Sequence, residues 1–152
     1  MQDWKDEHWP PPSHTPGEPC VFCEIVAGTR TCHKVHEDEL TLTFMDIFPV
    51  STGHTLIIPK RHFTNLFEME PAVIGPLAMH SVRMANAIRR ALVPEGIGVH
   101  QLNGRAAGQT VFHYHMHLIP RTHGEHVHLS PRVRAAPPAL EAVAERLRAA
   151  LG

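Results

Sequence analysis

A chain of 152 residues, 43% of them hydrophobic, is long enough for one cored domain and too short for two ordinary ones. Its 14 Lys plus Arg against 15 Asp plus Glu give no electrostatic basis for an obligate nucleic-acid partner. No run of about 18 apolar residues is present to span a bilayer.

The stretch MQDWKDEHWPPPSH lacks the basic and apolar regions of a secretory signal, so the cytoplasm is the expected location. Residues 1–19 hold five prolines, a composition that favours extended chain and reads as a tail. Cys20 and Cys23 follow in the run CVFC. Cysteines numbering three make a poor disulfide framework and read instead as reduced thiols or metal ligands.

From residue 20 to 125 the pattern is that of one folded domain. LTLTFMDI (40–47) and HTLIIP (54–59) are rich in β-branched and apolar residues bounded by turn formers, and read as strands. The spacing of Ile74, Leu77, Ala78, Ala85, Ile88 and Leu92 predicts a long helix over 70–92, with Pro71 in its first turn and Pro76 kinking it or delaying its start. GVHQLN (98–103) and VFHYHMHLIP (111–120) read as two more strands. The segment 126–152 is expected as an extension: an irregular connection through residue 138, then a short helix with Leu140, Val143, Leu147 and Leu151 on one side. The whole describes an α+β domain with an antiparallel sheet.

Histidine is the unusual residue here, at 14 copies. On a strand, alternate residues share a face, so His113, His115 and His117 are expected to project together. Such a row suits gripping successive groups of one ligand, or placing two rings on one metal. The preceding loop NGRAAGQT carries Gly104 and Gly108, which let backbone N–H groups converge on an anion. Cys20 and Cys23 supply half of a zinc site by spacing, with His62 and one histidine of the strand as candidate partners. His8, His14, His33, His36, His80, His100, His123, His126 and His128 have no comparable context and read as surface or core filler.

The run His113-Tyr114-His115-Met116-His117-Leu118-Ile119 resembles the signature of the histidine-triad family. CVFCEIVAG, FMDIFPVSTGHTLIIPKRH and NGRAAGQTVFHYHMHLIPR extend the resemblance over residues 20–121, in the order used by the family's Hint-like bacterial branch. It implies a sheet of about five strands with one long helix and a C-terminal helix, in a two-fold homodimer. It implies attack by His115 on the α-phosphorus of a purine nucleotide of the AMP or GMP type, through a nucleotidyl-histidine that water hydrolyses. His117 would assist at the phosphate or leaving group, and His54 would complete the cluster. Asp46 would bind the ribose, Ile47 would line the base slot, and Asn103, Gln109 and Thr110 would surround the phosphate. It also implies a structural zinc held by Cys20, Cys23, His62 and His113, a closed set that does not activate water.

The substrates implied are nucleoside phosphoramidates, acyl-nucleotides or dinucleoside polyphosphates. Two other readings stand beside this one. The three triad histidines could hold a catalytic metal, although the end residues of such a strand row lie about 13–14 Å apart. The chain could also be a nucleotide- or partner-binding module without turnover.

Overall fold

The computed structural model describes residues 18–126 and 133–152. Most of the proline-rich stretch 1–19, together with His8, His14 and His128, lies outside the described residues.

A short helix, α1 (Val21–Ala27), leads into β1 (Lys34–Glu37), β2 (Thr41–Met45) and β3 (Thr55–Pro59). The long α2 (Pro71–Leu92) follows, then β4 (Gly96–His100), β5 (Met116–Arg121) and α3 (Pro137–Leu151). The five strands form one sheet in the order β1-β2-β3-β5-β4, and every neighbouring pair is antiparallel. The α+β architecture anticipated from the element pattern is the one present. No described helix is long and apolar enough to cross a membrane.

Both central strands, β2 and β3, are buried along their whole length, because helices cover one face of the sheet and α1 covers part of the other. Met45 and Ile57 turn to the main core, where they meet Leu77, Met84 and Ile88 of α2 and Leu140, Ala144 and Leu147 of α3. Leu42, Phe44, Leu56 and Ile58 point the opposite way, onto Phe22 of α1 and the partly buried Cys20. The period-2 alternation thus feeds two cores, each apolar side chain contributing about 1.5–3 kcal/mol on full burial.

Several details differ from the sequence reading. β5 begins at Met116, not at residue 111. Upstream, the Tyr114 N–H donates to Phe63 O (2.7 Å) and the His115 ring folds back on His113 O (2.8 Å), bonds that take this stretch out of the ladder. His113, His115 and His117 therefore do not line one strand face; only His117 lies within a strand.

β4 stops at His100, the partner of His117, since beyond it β5 offers no ladder. Pro76 sits inside α2 without delaying its start; it removes the bond to the Ala72 carbonyl on the exposed side of the helix. Pro137 and Pro138, assigned to the connection, instead open α3, where a missing N–H costs nothing.

The turn between β2 and β3 contains Gly53 at φ +93°. A Cβ there would stand 2.3 Å from Leu92 Cδ1, so only glycine lets this turn close against the end of α2. Its neighbour His54 is fully buried as a result of that closure.

Candidate active site and metal centre

Cys20 and Cys23 sit at the head of α1, where Cys20 Sγ caps the helix by accepting from the Cys23 N–H (3.4 Å). Both thiols lie 3.5 Å from His113 Nδ1, and Cys23 Sγ is 3.3 Å from His62 Nδ1. The donor atoms of Cys20, Cys23, His62 and His113 all fall within 4.8 Å of one another. The His113 Nε2–H donates to Pro59 O (2.8 Å), which fixes its tautomer and leaves Nδ1 as a lone pair aimed at the sulfurs. Burial, then the hydrogen bond and charge of Cys20, push the Cys23 thiol up to about 12. A divalent cation removes that penalty, because it stabilises both thiolates at once. The donor set and the fixed tautomer fit a tetrahedral zinc.

The second cluster lies where β3 meets β5. His54 Nδ1 accepts from the Val50 N–H (3.0 Å), so the neutral ring carries its proton on Nε2. That Nε2–H faces His117 Nδ1 at 2.8 Å, with Asp46 Oδ2 at 3.4 Å. Neutral His117 consequently accepts on Nδ1 and holds its own proton on Nε2. His115 is set the other way round: its Nδ1–H donates to His113 O (2.8 Å), which makes Nε2 the unprotonated nitrogen. Its ring is 4.8 Å from that of His117 and is braced edge-on by Phe22 at 5.2 Å. Adjacent rings thus offer a nucleophilic nitrogen and a proton donor.

Asp46 is buried, and its Oδ1 accepts from the Phe48 N–H (2.8 Å). Ile47 and Phe48 stand exposed beside it as an apolar lip. Asn103 and Gln109 are engaged in bracing. Asn103 Oδ1 accepts from Leu66 N–H (2.7 Å), and its amide exchanges bonds with Gln101. Gln109 Oε1 accepts from Gly104 N–H (2.7 Å), while Nε2 donates to the Thr64 and Val111 carbonyls. These bonds hold the loop 103–110 in shape, with Gly104 at φ +88° and Gly108 at φ +97°. Thr110 is exposed on that loop, lining a cleft of about 420 Å³ with Arg105, Gly108, Gln109 and Phe112.

Among the described residues, no potential metal cluster contains all of His113, His115 and His117. His113 belongs with the cysteines and His117 with Asp46 and His54. The reading of three triad histidines on one metal is thereby corrected; the chain reverses its hydrogen bonding between residues 113 and 116.

Some contributors carried no sequence signal. Phe22 supports His115 from a seven-residue helix too short for periodicity to reveal. Ala135, from the C-terminal segment, donates its N–H to Ile47 O (3.0 Å) beside the apolar lip. Val50 sets the His54 tautomer through its backbone alone.

A family model for the HIT domain matches residues 27–124. The chain belongs to the HIT family. Among relatives of this HIT protein, "Protein hit" of Bacillus subtilis is 48% identical over 105 residues, covering 68% of this chain and 72% of that one. Adenylylsulfatase HINT3 of Arabidopsis thaliana is 42% identical over 102 residues, 67% of this chain but 52% of that protein. A crystal structure of a zinc-bound histidine triad family protein from Mycobacterium smegmatis superposes with a TM-score of 0.77 at 39% identity, covering 87% of this chain and 92% of the other. A Hit-like protein involved in cell-cycle regulation from Bartonella henselae reaches a TM-score of 0.82 at 34% identity, covering 86% of this chain and 95% of that one.

Proposed function

We propose that this HIT protein is a nucleotide hydrolase or transferase that attacks the α-phosphorus of a nucleoside phosphoramidate, acyl-nucleotide or dinucleoside polyphosphate. The observation that carries the reading is the pair of opposed tautomers, His115 with an unprotonated Nε2 and His117 with a protonated one. The adenylylsulfatase activity named for the HINT3 relative supports the same class of substrate.

In the first step the His115 Nε2 lone pair forms a bond to phosphorus as the bond to the leaving group breaks, and the His117 Nε2–H protonates that group. Water then attacks the nucleotidyl-histidine, gives a proton back to His117, and the N–P bond breaks to free the nucleotide. Asp46 would accept hydrogen bonds from the ribose hydroxyls, with Ile47 against a purine base. The Gly104 and Gly108 N–H groups are taken up inside the loop, so the exposed Thr110 hydroxyl is the loop group that would receive the phosphate. Asn103 and Gln109 would act at one remove, as positioning residues that keep the loop open.

Zinc held by Cys20, Cys23, His62 and His113 would supply structural cross-linking and no chemistry to the substrate. It would tie α1 to the segment that delivers His115. Residues 20–125 would form the catalytic unit, and 126–152 an extension that reaches it through Ala135 and α3. A second copy is the expected partner, joined at the edge strand β4, where Val99 is exposed, and along α2 at Met79 and Val82. The unpaired cysteines are in keeping with a cytoplasmic location.

Single turnover with an adenosine phosphoramidate, followed by intact-mass spectrometry, tests the mechanism. The parent should accumulate a covalent adenylyl adduct before steady state, and His115→Ala should bind nucleotide yet form none. An adduct on His115→Ala, or parent-like turnover by it, would overturn the nucleophile assignment.

A further inference from the structure

On the helix-covered face of the sheet, away from the triad, three metal-ligating side chains from distant parts of the sequence converge. His36 lies in β1, Asp38 in the turn that follows it, and His80 on α2. Their ligand atoms all lie within 4.8 Å of one another. The two imidazoles stack at 4.6 Å with 26° between their planes, and His36 Nε2 is 3.5 Å from Asp38 Oδ2.

Two features point to a ligand. His80 is only 4% exposed, and its Nε2 is committed to Thr43 Oγ1 at 2.9 Å, while its Nδ1 is buried with no hydrogen-bond partner. The buried His36 Nε2 likewise has no hydrogen bond. Two buried imidazole nitrogens without hydrogen bonds, with a carboxylate at their edge, are a costly arrangement when nothing bridges them. They are an ordinary one for a cation.

We propose that His36, Asp38 and His80 form a second metal site that takes a late first-row divalent ion, with Zn2+ and Ni2+ as the ions of matching chemistry. Two imidazoles and one carboxylate suit such ions better than Mg2+ or Ca2+, which prefer all-oxygen shells. Asp38 Oδ1 is engaged by the Leu40 and Thr41 N–H groups, which fixes the carboxylate while Oδ2 keeps lone pairs beyond the one that accepts from Thr41 Oγ1. His36 is a quarter exposed, so a small rotation of its ring closes the set on an ion held against the fixed Asp38 carboxylate. Burial, with His36 and Arg83 adding to it and Asp38 opposing, holds His80 down to about 4, so its ring is neutral and able to ligate without first losing a proton. His36 is the register partner of Thr43, the residue that anchors His80, so an ion here would clamp the β1–β2 hairpin onto α2.

The test is calorimetric titration of Zn2+ into full-length protein purified with its cysteine site already zinc-loaded, with metal content checked by mass spectrometry before and after. The parent should bind one further equivalent. His36→Ala and His80→Gln should each weaken that equivalent at least ten-fold while retaining the first. Because a change at the buried His80 also bears on folding, His36→Ala, at a quarter-exposed position, is the deciding protein. No further equivalent in the parent overturns the site. So does a further equivalent that survives His36→Ala, or one that is lost instead on His123→Ala or His126→Ala.

Discussion

His54 Nε2 and His117 Nδ1 lie 2.8 Å apart, and the pair is oriented from behind by the Val50 N–H on His54 Nδ1. One backbone amide thus decides which nitrogen of the neighbouring ring holds a proton. In the proposed mechanism that proton goes to the leaving group, so His54 acts through His117. Removal of His117 should lower kcat by about 10²–10⁴-fold for a poor leaving group and far less for an acidic one that departs unprotonated. His54→Ala should follow the same leaving-group dependence with a smaller loss, because solvent can re-orient His117 part of the time. Steady-state kinetics of both variants across leaving groups of graded basicity checks this; equal losses for all leaving groups would contradict it.

Much of this site could be read from residue order alone, and the limits are physical. Strand-like residues and the glycine-flanked turns located β2, β3 and their connection, because those segments are buried on both faces and their composition follows from burial. The run 111–117 misled because alternation is a rule about ladders, and Tyr114 spends its N–H on Phe63 O. α1 spans two turns, too few for a period to show, and is set by a thiol cap and Phe22 packing. His36 and His80 were invisible as a pair: residues 44 apart meet only because α2 lies on the same face of the sheet and His80 reaches from it to Thr43 and His36. Asn103 and Gln109 were legible as polar loop residues, but their bracing bonds depend on which carbonyls the fold brings near.

Metal removal should separate stability from chemistry at the cysteine cluster. With the ion gone, two half-buried thiols and two imidazoles face one another, and Cys23 reverts to a thiol well above its ordinary range. Cys23→Ala, or exhaustive chelation, should lower Tm by roughly 5–15 °C. Below the new Tm, turnover should fall in proportion to the loss of folded protein and no further, since His115 and His117 belong to no part of that cluster. Differential scanning fluorimetry beside activity assays at low temperature measures both quantities. Complete inactivation of a chelated but folded protein would sink the structural role.

Leu147 of α3 is fully buried in the main core with Leu77, Met84 and Ile88. Leu147→Ala should therefore cost about 2–5 kcal/mol in chemical denaturation, the range for an unrelieved core cavity. A helix that merely decorated the domain would give a loss below about 0.5 kcal/mol. The same variant should leave the burst amplitude per folded molecule unchanged.

The His33–Glu141 contact gives α3 a pH-dependent fastening to the chain that enters β1. Glu141 accepts from His33 Nδ1 at 2.8 Å and from Arg148 at 2.6 Å, and these bonds, His33 first, hold its carboxyl below the usual glutamate value of 4.5. A carboxyl whose folded pKa is depressed gives up its proton more readily in the folded chain. The unfolded chain then binds more protons near pH 4.5, and stability falls with falling pH through that window. The contribution is present above about pH 5 and gone once the folded carboxyl is itself protonated. Since Glu141 is largely solvent-exposed, the expected size is that of a surface pair, below about 1 kcal/mol. Glu141→Gln should lower Tm slightly at pH 7 and flatten its acid-side slope, with the two proteins converging at the acid end. Paired melting curves at low and high salt read this directly, and an acid-side slope unchanged in the variant would assign the fastening to packing by Leu140 and Ala144 alone.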